Sequence, residues 1–186
     1  MMNTILYIHG YGSTGEAMKA RLLREMYPEA QVLSPTLDYD HIPPFDILRE
    51  LQTFIDAHLP ELIVGSSMGG YYALCCTQFF SGPVWCINPV RDIRKTLRCI
   101  IPEEVKSTPL AQTMLHEYER FDDEVFRHLH PADGQLRFAL STDDELLGDH
   151  HALLTLFPNH GAVVWKDHCG HRFLRFTELK DVIVSP

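Results

Sequence analysis

Apolar runs of four to six residues, too short to form helices, alternate along this chain with longer stretches whose apolar residues recur at three- and four-residue spacing. The short runs lie at 4–9, 31–34, 61–65, 83–88, 136–141 and 161–165, and the helical patterns at 15–27, 44–58, 68–80, 91–99, 109–129, 145–156 and 172–182. Strands separated by crossover helices lie parallel, and parallel strands are covered on both faces, so they read as continuous Val, Ile and Leu rather than alternating with polar residues. The pattern predicts an α/β fold with a parallel sheet of about six strands, and 186 residues suit one domain spanning 1–186.

One connection breaks the rhythm. About 47 residues, 89–135, separate the fourth and fifth runs, more than a crossover needs. They carry Leu110, Met114, Tyr118, Phe121, Val125 and Leu129 along one helical stripe, which predicts a helical cap inserted in the fold with one face to be covered.

Composition removes several function classes. A net charge of −9 disfavours nonspecific binding to nucleic acid or to an anionic membrane. No basic leader precedes the first apolar run and no stretch reaches 18 apolar residues, so a cytoplasmic protein without membrane insertion is expected. Five cysteines, an odd number set mostly in apolar segments, predict buried free thiols rather than a disulfide framework.

The chemistry concentrates after the third run, in Gly65-Ser66-Ser67-Met68-Gly69. A Gly-x-Ser-x-Gly pentapeptide between strand and helix makes a turn so tight that the serine hydroxyl projects above the sheet, and small residues on either side admit neighbouring backbone. By composition such a match is expected only about 0.03 times per chain, so Ser67 is read as a nucleophile. A hydroxyl needs a base, and in this chain order the base follows the last strand and its acid partner the preceding one. After the sixth run stand His168 and His171, with His171 favoured because it follows Gly170 at a loop end. After the fifth stand Asp143, Asp144 and Glu145, with Asp144 favoured, Asp143 read as a helix cap and Glu145 third. The oxyanion of an acyl-transfer intermediate needs two N–H donors, assigned to the backbones of Met68, after the nucleophile, and Tyr11, in the Gly-rich loop after the first strand. His9, just before that loop, is read as a buried structural histidine.

These segments, residues 8–14, 65–73, 87–90, 141–147 and 168–173, together resemble the small α/β-hydrolase family of bacterial YqiA-like esterases over nearly the whole chain. The resemblance implies an α/β-hydrolase fold trimmed to six strands, hydrolysis of carboxylic esters or thioesters without a cofactor, and Ser67, Asp144 and His171 as nucleophile, acid and base. At Asp143 the chain departs from the family's Gly-Asp-Glu turn.

Three rival features remain. Asp149, His150, His151, His160, His168 and His171 crowd 23 residues but lack a fixed ligand spacing, so they are read as solvated, helix-terminal histidines rather than a metal site. Arg91, Arg94, Lys95 and Arg98 form a basic stripe, read either as a solvated helix face or as a grip on the phosphates of an acyl-CoA thioester. A catalytically silent interaction protein on the same fold is the alternative of another class, disfavoured by the intact Ser, Asp, His order. The expectation is a serine esterase acting on small to medium acyl chains, with a small-molecule ester or thioester as its partner and no metal.

Overall fold

The computed structural model of the chain describes residues 3–183. Six strands, β1 (Thr4–Ile8), β2 (Gln31–Leu33), β3 (Leu62–Ser66), β4 (Val84–Ile87), β5 (Leu136–Ser141) and β6 (Val163–Lys166), form one sheet in the order β2-β1-β3-β4-β5-β6. Every pairing is parallel. The helices are α1 (Met18–Met26), α2 (Pro44–His58), α3 (Met68–Cys76), α4 (Ile93–Ile100), α5 (Glu103–Lys106), α6 (Pro109–Glu124), α7 (His151–Leu156) and α8 (Lys180–Ile183). Among the described residues no helix is long and apolar enough to cross a membrane.

Side chains alternate across each strand, and that alternation divides the core in two. Ile5, Tyr7, Leu62, Val64, Trp85, Ile87 and Ala139 pack with α1 and the C-terminal segment. Leu6, Ile8, Ile63, Val84, Cys86, Phe138 and Leu140 pack on the other face with α2, α3 and α6. Burial on both faces is the reason the strand sequences lack a polar alternation. Helix α3 is buried along its whole length, as befits an element that enters the sheet's centre from β3.

Of the seven predicted helices, 44–58 keeps its bounds, three change only at their ends, and three are interrupted or start late. The pattern at 145–156 becomes helical only at His151, because the Asp144 carboxylate takes the N–H groups of Leu146 and Leu147 and Gly148 turns at φ 71°. The pattern at 172–182 splits into a 3₁₀ turn, Phe176–Leu179, and α8, since Phe173 has φ 51°. The pattern at 109–129 ends its α-helix at Glu124 and continues as a 3₁₀ turn at Phe126–His128. Of the cysteines, Cys75, Cys76, Cys86 and Cys169 are buried and free, whereas Cys99 is free and exposed on the outer side of α4.

Between β4 and β5 the chain builds α4, α5 and α6, and α6 is held by its C-terminal half. Phe121 is fully buried, its ring edge-on to Phe45 of α2 at 5.0 Å and tilted against Tyr71 and Tyr72 of α3 at 6.1 and 5.9 Å. Leu110, expected on the buried stripe, is instead exposed at the other end of the helix, in its first turn. Truncating the anchor, Phe121→Ala, should cost about 3–5 kcal/mol of unfolding free energy. Urea titration measures this, and a loss below about 1 kcal/mol would show that α6 is held elsewhere.

Candidate active site

Ser67 caps α3 directly after β3 with φ 56° and ψ −119°, a backbone conformation few non-glycine residues adopt. Backbone hydrogen bonds fix the turn: Ser67 N–H donates to Ile87 O at 2.9 Å, and Ser67 O accepts from Tyr71 N and Val90 N, both at 3.1 Å. The flanking glycines are required by close approach. A Cβ on Gly69 would lie 2.1 Å from Ile8 O, and one on Gly65 would lie 2.3 Å from Gly69 O.

The Ser67 Oγ lies 2.8 Å from His171 Nε2, and His171 Nδ1 lies 3.0 and 3.1 Å from the two carboxylate oxygens of Asp144. An N–H at Nδ1 donated to Asp144 leaves the Nε2 lone pair to accept the Ser67 hydroxyl proton. His168 is exposed, with φ 57°, and takes no part.

The three consecutive acids do three different things. Asp144 is buried. Burial pushes its carboxyl up, but donation from His150 Nε2 at 3.0 Å, from His171 and from Leu147 N–H outweighs burial and holds the group well below the usual carboxylate range. Asp143 accepts from the Ser141 hydroxyl at 2.6 Å and from the backbone N–H groups of Cys169 and Gly170 at 3.1 and 3.2 Å. Chiefly through the Ser141 hydroxyl, its pKa is also lowered. Glu145 accepts His171 N–H at 2.7 Å. The loop that carries His171 is thus fastened to the end of β5.

Three residues that sequence reasoning left without a role complete the support. Asn88, fully buried at the end of β4, donates from Nδ2 to Gly170 O and His171 O at 3.0 and 3.1 Å, while its Oδ1 accepts Ser141 N–H at 2.7 Å. His150, expected in solvent, is 3% exposed and shares Asp144 with His171. From α1 the buried Lys19, its pKa lowered by desolvation to about 8, donates to Arg172 O at 2.6 Å. Of the other crowded groups, His151 pairs with Asp149 on the surface and His160 packs against Phe138. Among the described residues no three His, Cys, Asp or Glu side chains converge to hold a metal ion.

The loop after β1 reaches Ser67 from the other side. A Cβ on Gly10 would lie 3.3 Å from Ser67 Cβ. Behind it His9 is fully buried, its Nε2 accepting Leu37 N–H at 2.9 Å and its Nδ1 donating to Gly10 O at 2.8 Å, and desolvation lowers its pKa. Among the described residues neither Tyr11 N–H nor Met68 N–H donates to a protein acceptor, the latter being the first residue of α3. A cavity of about 360 Å³ opens beside Tyr11. Its walls include Tyr11, Tyr39 and Asp40 on one side and Leu97, Ile101, Met114 and Tyr118 of α4 and α6 on the other. Ser67 and His171 do not line it; Tyr11, on the loop that approaches Ser67, does. The basic stripe faces elsewhere: Arg98 pairs with Glu119 at 2.8 Å, and Arg94, Lys95 and Arg98 line a separate outer cleft.

A family model described as Uncharacterised protein family (UPF0227) matches residues 4–185. Among solved structures the chain is similar to Est1E from Butyrivibrio proteoclasticus, with 14% identity, TM-score 0.71 and coverage of 98% of this chain and 87% of that one. It is also similar to an esterase domain of a Rhodothermus marinus protein (20% identity, TM-score 0.66, 97% and 84% covered) and to mouse alpha/beta hydrolase domain-containing protein 10 (15% identity, TM-score 0.70, 97% and 89% covered). Likeness at these identities is likeness of fold, and that fold is the α/β-hydrolase fold with a six-stranded parallel sheet.

The depressed Asp144 pKa has a definite sign. The folded carboxyl binds its proton less readily than the unfolded one, whose ordinary value is 3.8. Its stabilisation is therefore complete above that value and is lost as pH falls through the folded-state value. Below about pH 4 the wild-type urea midpoint should drop steeply, and Asp144→Asn and His150→Ala, already less stable at neutral pH, should drop less steeply. Equal acid slopes in all three proteins would show that this carboxylate does not carry the effect.

Proposed function

The chain belongs to UPF0227, and from that premise we propose that it is a serine hydrolase that cleaves carboxylic esters through an acyl-enzyme. The observation that carries the reading is the unbroken hydrogen-bond chain Ser67 Oγ, His171, Asp144, with Met68 N–H directly after Ser67 and Tyr11 N–H on the loop that approaches it, neither donating to a protein acceptor among the described residues. Ser67 Oγ attacks the ester carbonyl carbon while its proton passes to His171 Nε2, and Asp144 stabilises the resulting imidazolium. The tetrahedral oxyanion accepts from Tyr11 N–H and Met68 N–H. The carbonyl re-forms as the C–O bond to the leaving group breaks, and that oxygen takes the proton from His171. Water, deprotonated by the same imidazole, then attacks the acyl-enzyme and frees the acid and Ser67. His150, Asn88 and Glu145 act through other groups: the first orients the carboxylate, the other two the loop.

In this reading α4, α5 and α6 form a cap, and the cavity beside Tyr11 receives small to medium acyl groups. None of the basic stripe lines that cavity, so the ester reading is preferred to the acyl-CoA one.

A fluorophosphonate should label wild-type protein at Ser67 alone, as peptide mapping by mass spectrometry would show. Ser67→Ala should abolish labelling and lower hydrolysis of p-nitrophenyl esters by about four or more orders of magnitude. Labelling that persists in Ser67→Ala would overturn the assignment. Met114, unlike Phe121, faces the cavity, so Met114→Ala should shift the acyl chain-length profile towards longer chains. A profile unchanged in shape would remove α6 from the acyl pocket.

A further inference from the structure

The cavity beside Tyr11 has mostly apolar walls on α4 and α6, and at Tyr118 a hydrogen-bonding capacity is left unmatched. Tyr72 and Tyr118 share a single hydrogen bond of 3.2 Å between their hydroxyls. Two hydroxyls carry two protons, and one bond uses one of them. Tyr72 is fully buried and does not line the cavity, so the arrangement without a stranded proton has Tyr72 donating and Tyr118 keeping its own O–H for the cavity it lines. Tyr118 is itself only 1% exposed. Its hydroxyl lies within electrostatic reach of Asp40, Tyr11 and Asp38, of which the first two line the same cavity and are joined by a Tyr11 Oη–H to Asp40 hydrogen bond.

The side of the substrate that enters follows from the chemistry. The leaving-group oxygen must sit beside His171 Nε2 to be protonated, and no residue of the 166–175 loop lines the cavity. Tyr11, by contrast, contributes its N–H to the oxyanion and its side chain to the cavity wall. The acyl group is therefore the part that runs past Tyr11, and about 360 Å³ falls within the range of small-molecule sites.

We propose that this cavity takes the acyl group and that the Tyr118 hydroxyl donates to a neutral oxygen on it, so that the preferred substrates are esters of medium-length acids bearing an ether, keto or hydroxyl oxygen. This rests on the serine ester hydrolase reading. Among the described residues the donor has no acceptor, so a plain alkyl chain leaves it buried and unmatched, whereas an oxygen on the chain satisfies it. A hydroxyl can in addition donate to Asp40. A terminal carboxylate could accept from Tyr118 but would stand against the Asp40 charge, and is disfavoured.

The test uses p-nitrophenyl hexanoate, isosteres with an ether oxygen in place of the C4 or the C5 methylene, far enough from the carbonyl to leave its reactivity unchanged, the analogue ending in a hydroxyl, and the adipate half-ester. Wild type should turn over at least one neutral oxygen-bearing ester about 3- to 10-fold faster in kcat/KM than hexanoate, with the half-ester slowest. Tyr118→Phe should bring that ratio to about one. A wild-type ratio of one at every position, or a ratio unchanged in Tyr118→Phe, overturns the proposal. Titrating the corresponding free acids into Ser67→Ala by calorimetry gives the same preference without turnover. An oxygen preference there with no Ser67-dependent hydrolysis would sink the hydrolase reading and keep the binding site. Ser67-dependent hydrolysis with no oxygen preference would do the reverse.

Discussion

Everything at this site follows from the press of α3 against the end of β1. Gly69 sits so close to the carbonyls of Ile8 and His9 that even one added carbon has no room. Ser67 is held at positive φ just before it, a conformation that costs about 1–3 kcal/mol and persists only where its surroundings over-determine it. Here the hydrogen bonds to Ile87, Tyr71 and Val90 do so. The same contact brings the loop after β1 beside Ser67, which is why Gly10 is the residue that faces it. His9 then fixes that loop: by accepting Leu37 N–H at Nε2 it must carry its proton on Nδ1, and burial disfavours a second one. A single backbone contact thus sets both the turn that carries the Ser67 hydroxyl and the approach of the loop after β1.

The imidazole has no such rigid element beneath it, since His171 lies on a loop. Its position is instead set by attachments from α1, β4 and the turn after β5, through Lys19, Asn88, Asp143 and Glu145, all reaching main-chain atoms of 169–172. Bonds to main chain leave the ring free to answer only to Asp144 and Ser67. Asp144 in turn is prevented from rotating by the Leu146 and Leu147 N–H groups and by His150. The predicted helix at 145–150 is the element given up, because its first amides serve the carboxylate instead.

The strands were readable in the sequence to within one or two residues because burial on both faces leaves a continuous apolar signature, and Ser67 was readable because a tight strand-to-helix turn restricts residue choice at fixed offsets. Asp143, Asp144 and Glu145 were not separable in that way: three adjacent carboxylates have the same chemistry, and only the path of the chain after β5 decides which one meets an imidazole. Asn88 and His150 carried no local signal at all. Asn88 binds residues more than 50 positions away, and His150 stands in a run of polar residues that looks like any solvated helix end. The breaks near Phe173 and Gly148 were missed for a related reason, since periodicity reports which residues could share a helix face and not which amides have been taken by a side chain.

The cap-like segment divides its own labour along α6. Its C-terminal half is tied to the body twice over, by Phe121 among the rings of α2 and α3 and by Asp122, which accepts from Tyr71 at 3.3 Å and from Arg127 at 3.1 Å. Its N-terminal half, with Met114 and the exposed Leu110, borders the cavity, and α5 beyond it has no buried residue. Stability falls where burial falls, so the wall nearest the cavity is the part of the segment freest to adjust. Tyr118 sits at the boundary between these halves, bonded through Tyr72 to α3, the helix that Ser67 caps. A group placed there keeps a fixed position relative to Ser67 while the apolar wall around it yields. With an acyl group in the cavity, as proposed, that arrangement suits recognition of one polar atom on a chain whose hydrocarbon part is only loosely specified.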